Sequence, residues 1–371
     1  MAGTDWHVDM ERKKAQLAFL LSLGLCANLL ELFIPAVPFL PWLKPGLANA
    51  FTLAAIYLTG PASGILLALL RSLISAIFTG VPVTSLLIGG IGGLLSATGM
   101  GLLVRLSRSR PFFSPIGISV AGALLHTSAQ LIVVYFLFIK SAYLFWQLPV
   151  MGPFAAATGV LTGWLAVKTI RFLESRTATL SPRPLPLDET RTRPPFLKGF
   201  LLLLLSILLL AADGLRFQLF SALILISVLS LSGRRNCRPS LFLRFIPLAA
   251  VTLLLNAFTE PGHYLSLFPW VTWEGLEKGT MLTLRLLNLI ALSLSLLRRE
   301  ELLIWLAFCG KRWAVLSEAC DVGQRAIRVL PETVAVLVRF AKGSADKKGF
   351  GKFRYFKMNI EKMMGEILEK S

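Results

Sequence analysis

The chain is short of charge: 371 residues carry only 16% Asp, Glu, Lys and Arg, against 55% hydrophobic residues. A soluble protein averages about 25% charged residues, so a water-soluble globular chain is excluded. Cysteine is also scarce, with Cys26, Cys237, Cys309 and Cys320 and no C-x-x-C pair, which leaves neither a zinc site nor a disulfide framework. Acids number 20 against 38 bases. They form no aspartate-rich cluster of the kind that holds magnesium on a diphosphate. There is no G-x-S-x-G elbow and no His–Glu metal pattern, so no catalytic residue and no cofactor is expected. The run Gly89–Gly93 has no following Lys-Ser/Thr and no strand before it, which fails the phosphate-loop requirement. Tight helix packing explains those glycines better.

What the sequence has instead is apolar runs of about twenty residues, the length that crosses a roughly 30 Å hydrocarbon core as helix. Six spans are predicted in the first half, at 15–34, 47–60, 61–80, 83–106, 116–139 and 150–171. The first is not a cleaved leader, because Pro35, Pro38 and Pro41 follow it rather than a small-residue cleavage site. Four more are predicted at 196–212, 217–232, 241–258 and 278–297. Basic clusters fall at alternate ends: Arg12–Lys14, Arg105–Arg110, Lys168–Arg176, Arg234–Arg238 and Arg298–Arg299. By the positive-inside rule these ends are cytoplasmic. The net charge of +18 is accounted for in this way, and nucleic acid is not an expected partner.

Between the halves, "SPRPLPLDETRTRPP" holds five prolines and both charge signs. Such composition makes an extended, semi-rigid spacer. The expected organisation is therefore a membrane domain at 1–172, a cytoplasmic linker at 173–195, a second membrane domain at 196–299 and a cytoplasmic tail at 300–371. In the tail, residues 300–317 and 325–340 each repeat apolar positions at helical spacing among charges. They read as amphipathic helices lying on a membrane or a partner.

The stretch "GILLALLRSLISAIFTG" places Arg71 near the middle of a span with no acid beside it. At helical spacing Arg71 shares a face with Gly64, Ala68, Ser72, Ser75 and Thr79, small residues suited to close packing in lipid. A charge at that depth costs about 2.5–3.5 kcal/mol on translocon scales, so the side chain points into the bundle. Other spans add polar groups: Glu31 on the stripe of Gly24 and Asn28, Asn49 opening the second span, and His126 and Gln130 on the stripe of Ser119 and Gly122. Together Glu31, Asn49, Arg71, His126 and Gln130 form a candidate substrate site open to the outside. The other reading of Arg71 is an internal brace paired with Glu31 or capping a carbonyl.

Residues 15–172 resemble the Gx transporter family, also labelled heptaprenyl diphosphate synthase component I. The stretches are "ELFIPAVPFLPWLKPGLANAFTLAAIYLTG", "LLRSLISAIFTG", "GGLLSATGM" and "GISVAGALLHTSAQL". The resemblance implies a six-helix substrate-binding (S) component of an energy-coupling factor importer. Residues 196–343 resemble the transmembrane (T) component of such importers, through "VTWEGLEKGTMLTLRLLNLIALSLSLL" and "IRVLPETVAVLVRFAKG". In that family a coupling helix starts Arg-x-x-Pro and ends Ala-Arg-Gly, docking on the ATPases. Arg328 and Pro331 fit the start, and Ala341, Lys342 and Gly343 stand at the end, with Lys in place of Arg. The family's second coupling helix and final span are not matched by the basic, Met-rich residues 352–371, which reads as a shortened T module or one with another partner.

The resemblances imply an all-α, multi-pass protein of the bacterial plasma membrane that is not itself an enzyme. Its implied partners are two cytoplasmic ABC-type ATPase subunits supplied in trans, a small-molecule substrate and membrane lipid. The competing expectation is a non-catalytic membrane accessory for prenyl diphosphate or quinone synthesis, or for a redox assembly.

Overall fold

The computed structural model describes residues 2–31, 45–79, 82–109, 112–176, 196–231, 245–266, 268–296, 314–345 and 362–366. The described residues are helical apart from one two-stranded hairpin. Among them, four helical stretches are long and apolar enough to cross a membrane: Asp9–Glu31, Leu86–Arg108, Pro115–Ile139 and Ala142–Ser175. The chain is thus a multi-pass membrane protein by length and composition. Five shorter apolar helices accompany them.

The first half opens with α1 (Ala2–Glu31), which starts well before the predicted span and carries Arg12–Lys14 as helix. Next come α2 (Asn49–Thr59) and α3 (Pro61–Thr79), turned on Gly60. Gly60 has φ +103°, a conformation side chains disfavour, and its N–H closes α2 by donating to the Ile56 carbonyl. Pro61 then supplies the first position of α3, where its missing N–H costs nothing. A short helix α4 (Pro82–Ser85) and a π-helical turn (Leu86–Gly90) lead into α5 (Ile91–Ser109). The Ser114 side chain caps α6 (Pro115–Val134) by accepting from Gly117 N–H. This helix too ends in a π turn (Tyr135–Ile139), closed by Lys140 in the left-handed region.

A 3-10 turn (Ala142–Gln147) then opens α7 (Leu148–Arg176). On α7, Gly159 and Gly163 lie one turn apart against α6. Added Cβ atoms there would sit 2.6 Å from Val120 Cα and 2.8 Å from Ile116 Cα. This is the small-xxx-small device that brings membrane helices into backbone contact.

The second half comprises α8 (Phe196–Ala211), α9 (Leu215–Leu231), α10 (Ile246–Thr259) and α11 (Trp273–Leu296). Between the last two lies the hairpin, β1 (Tyr264–Leu265) antiparallel to β2 (Phe268–Thr272). It falls between the spans predicted at 241–258 and 278–297. Its Phe-Pro-Trp-Val-Thr run has the aromatic and β-branched content of a strand.

The two halves share a core. Leu131, Val134, Phe138 and Met151 from the first pack with Leu202, Leu248, Leu286 and Ile290 from the second. At one end of this interface the contacts turn polar. Asn256 Nδ2 donates to the Ile139 carbonyl, and the Ser141 and Thr259 hydroxyls are 3.0 Å apart. Asp213 accepts from both Lys140 Nζ (3.0 Å) and Arg285 Nη2 (2.5 Å). Arg285 is 1% exposed. Asn288 Nδ2 donates to Gln218 beside it, and Gln218 in turn donates to the Leu209 and Ala212 carbonyls.

The tail departs from expectation. The helix predicted at 325–340, with Gly343 at its end, is longer: α12 runs from Ala314 to Ala345 through Pro331 and Gly343. Residues 300–313 lie outside the described residues. A proline in a helix interior costs about 3 kcal/mol. Here α12 is packed along α1, and Leu330 and Val336, flanking Pro331, are buried in the same apolar cluster as Leu17–Ala27. That tertiary burial offsets the local penalty and carries the helix past the break. The contact is also ionic: Arg325 donates to Glu11 (2.7 Å) and Asp321 (3.0 Å), and Lys14 pairs with Glu11 (2.7 Å).

Candidate functional site

Four helices of the first half, α1, α2, α3 and α6, bring polar side chains together in an otherwise apolar interior. Arg71 comes from α3 and is 4% exposed. Its Nη2 donates to Asn49 Oδ1 at 3.1 Å and its Nη1 reaches Thr52 Oγ1 at 3.5 Å, both from the first turn of α2. Its Nε has no hydrogen-bond partner among the described residues. Glu31, the last residue of α1, is buried and accepts from Leu47 N–H. Its carboxylate is the acid whose field reaches the guanidinium. Gly24, two turns earlier on α1, leaves room for the Arg71 stem, since a Cβ there would lie 3.5 Å from Arg71 Cδ.

Against these side chains lies α5, entered through its π turn. Single π turns within helices recur at functional sites. Here the turn is followed at once by Gly92 and Gly93. A Cβ on Gly93 would stand 3.2 Å from Arg71 Nη2. One on Gly92 would stand 3.2 Å from the His126 ring and 3.0 Å from Gln130 Cγ. The glycine run does serve close packing, as its composition suggested. What it packs against, however, is the candidate site itself.

The five predicted residues therefore divide into two groups. Glu31, Asn49 and Arg71 meet in one cluster. Gln130, buried, and His126, half-buried, both from α6, form the second. The side-chain-free Gly92–Gly93 segment of α5 borders both, Gly93 beside Arg71 and Gly92 beside His126 and Gln130. Ser119 and Gly122, which share the His126 stripe in sequence, do structural duty instead. Ser119 bonds Thr162 of α7 at 2.8 Å, and the Gly122 carbonyl accepts from Ser96 of α5.

Such a cluster suits an anion. A buried guanidinium with one N–H unused can receive a carboxylate or phosphate oxygen, and Asn49 and Thr52 hold it in a fixed orientation for that. Thr52 is the member of this polar cluster that the sequence reading missed. Its signal was there: it is the polar residue three after Asn49, on the same helical face.

The proposed coupling residues fall on α12. Arg328 is on the face left exposed, in line with Glu332, Ala335 and Arg339. Ala341, Lys342 and Gly343 lie within its last turns as helix.

We expect Gly93→Val to press a methyl group onto the guanidinium and break its contact with Asn49. A hydrogen bond to a charged group contributes about 1.5–3 kcal/mol, so ligand affinity should fall roughly ten- to hundredfold. Because the clash meets a side-chain end rather than backbone, the thermal midpoint should hardly move. Comparing ligand retention with thermal unfolding of the same preparation checks this.

No curated protein and no solved structure matches the chain. Residues 20–169, from α1 to the last turns of α7 and including all five candidate site residues, match the family model described as heptaprenyl diphosphate synthase component I.

Proposed function

We propose that the chain is the membrane subunit of an energy-coupling factor type importer in a bacterial plasma membrane. Its first half binds a small anionic substrate around Arg71, and its second half links that half to two ABC-type ATPase subunits encoded elsewhere. The observation that carries the reading is Arg71 itself. An arginine 4% exposed, with Nε unused and its other nitrogens oriented by Asn49 and Thr52, is a receptor for negative charge. Ionisable residues within spans are functional by default.

The coupling half of the proposal rests on the resemblance of residues 196–343 to a T component. It is supported by α12, which has one face on α1 and a second, with Arg328 and Arg339, left accessible. Movement of α12 would pass directly into α1, whose far end carries Glu31. Reversing the charge with Lys342→Glu should abolish uptake in cells while ligand binding to the first half persists. Uptake that survives this change, or purification from native membranes without an ATPase, would refute the motor.

A second reading is favoured by the family match: a non-catalytic membrane accessory in prenyl diphosphate or quinone synthesis. A diphosphate or carboxylate would suit the same guanidinium. The two readings part at the partner, since the accessory would co-purify with a soluble synthase rather than with ATPases.

A further inference from the structure

The helix α10 has 14 residues. At about 1.5 Å per residue it rises roughly 21 Å, some 9 Å short of a hydrocarbon core of about 30 Å. Its exposed stripe, Ile246, Ala250, Leu254 and Phe258, is wholly apolar and runs straight toward the hairpin. On and beside the hairpin, Tyr264, Phe268, Trp270 and Trp273 each expose more than half of their surface. Residues 261–273 contain no Asp, Glu, Lys or Arg.

The hairpin is also built to leave water. β1 pairs Tyr264 with Thr272 and Leu265 with Phe268 of β2, and Trp273 N–H donates to the His263 carbonyl. Thr272 Oγ1 donates to the Glu260 carbonyl and accepts from Gly275 N–H, fastening β2 to both flanking helices. The charges at the base are paired, Lys278 with Glu260 and His263 with Glu274, each at 2.6 Å. The hydrogen bond to Glu274 raises the His263 pKa. Backbone at membrane depth must be internally satisfied, and Trp and Tyr concentrate at the headgroup level.

We propose that the β1–β2 hairpin is a membrane-inserted element, seated in the headgroup–acyl boundary of the outer leaflet. There it completes the layer that α10 is too short to cross. The occupant of its aromatic face is lipid. The 3-10 turn fits the same plane: Tyr143 and Trp146 are exposed there, and Ser141 is held to Thr259.

The test uses the full chain in vesicles of phosphatidylcholine and phosphatidylglycerol, with acyl chains brominated at carbons 6 and 7. The fluorescence of Trp270 and Trp273 is taken as wild type minus the Trp270→Phe/Trp273→Phe variant. We expect this difference signal to be quenched at least twofold by the brominated lipid and hardly at all by aqueous iodide. Strong iodide quenching without a bromolipid effect would place the hairpin in water and overturn the proposal. So would shielding from both quenchers that grows with protein density, which would make a second copy the occupant. If the double variant does not assemble, the wild type labelled with 5-fluorotryptophan gives the same depth from fluorine relaxation by spin-labelled lipids.

Discussion

Replacing Arg71 with methionine should empty the first half of ligand and leave its fold standing. Methionine matches the length of the arginine stem and keeps the contact with Gly24. It removes the charge and both hydrogen bonds, to Asn49 and Thr52. Truncating one partner of a buried charged interaction costs about 2–5 kcal/mol, a loss in affinity of about thirty- to several-thousandfold. The fold should suffer less. Glu31 keeps its bond to Leu47 N–H, and an apolar side chain is no burden in an apolar bundle. Arg71→Lys should fall between, because an ammonium keeps the charge but loses the planar fork that serves two acceptors at once. Were Arg71 only an internal brace, the order would invert: stability would drop and ligand would stay. Ligand retention and thermal unfolding, measured on the three proteins together, distinguish the cases.

The second large effect is expected at Asp213, where the two halves are tied. Arg285 is almost fully enclosed, and its charge is met by Asp213 and the Ala212 carbonyl. Asp213→Ala removes the acid and leaves Arg285 and Lys140 facing each other. Breaking a fully buried pair costs about 3–5 kcal/mol. The Asp213 side chain is 60% exposed, so solvent screens part of this and about 1–3 kcal/mol is expected. The pH dependence follows from the same geometry. The hydrogen bond from Arg285, and then that from Lys140, hold the Asp213 carboxyl below its ordinary value of 3.8. Its contribution is therefore present above that value and disappears as pH falls through the lower folded-state value. Wild type and Asp213→Ala should differ in thermal midpoint at neutral pH and converge in strong acid. A difference that persists in acid would show that the aspartate acts through packing rather than charge.

Much of the architecture was legible because the bilayer imposes a length on apolar runs. The break at Gly60–Pro61 and the shortness of α2 were both read from sequence, and so was the inward direction of Arg71. The same reasoning applied to "TLRLLNL" would have singled out Arg285 and Asn288, and applied to the ninth span it would have reached Asn256. What sequence periodicity does not contain is which helix receives each polar group. That is why Ser119, which shares the His126 stripe in sequence, turns out to bond Thr162. The hairpin was missed because a five-residue strand has too few alternations to stand out. The course of α12 was missed for a different reason. Local rules stop a helix at Pro331, whereas packing on α1 prevails there.

The most direct test of the binding site is native mass spectrometry of the wild type and Arg71→Met, purified side by side from native membranes. The account predicts a small acidic molecule retained by the wild type and missing from the variant, at equal yield of folded protein. The same molecule on both proteins, or none on either, would contradict it.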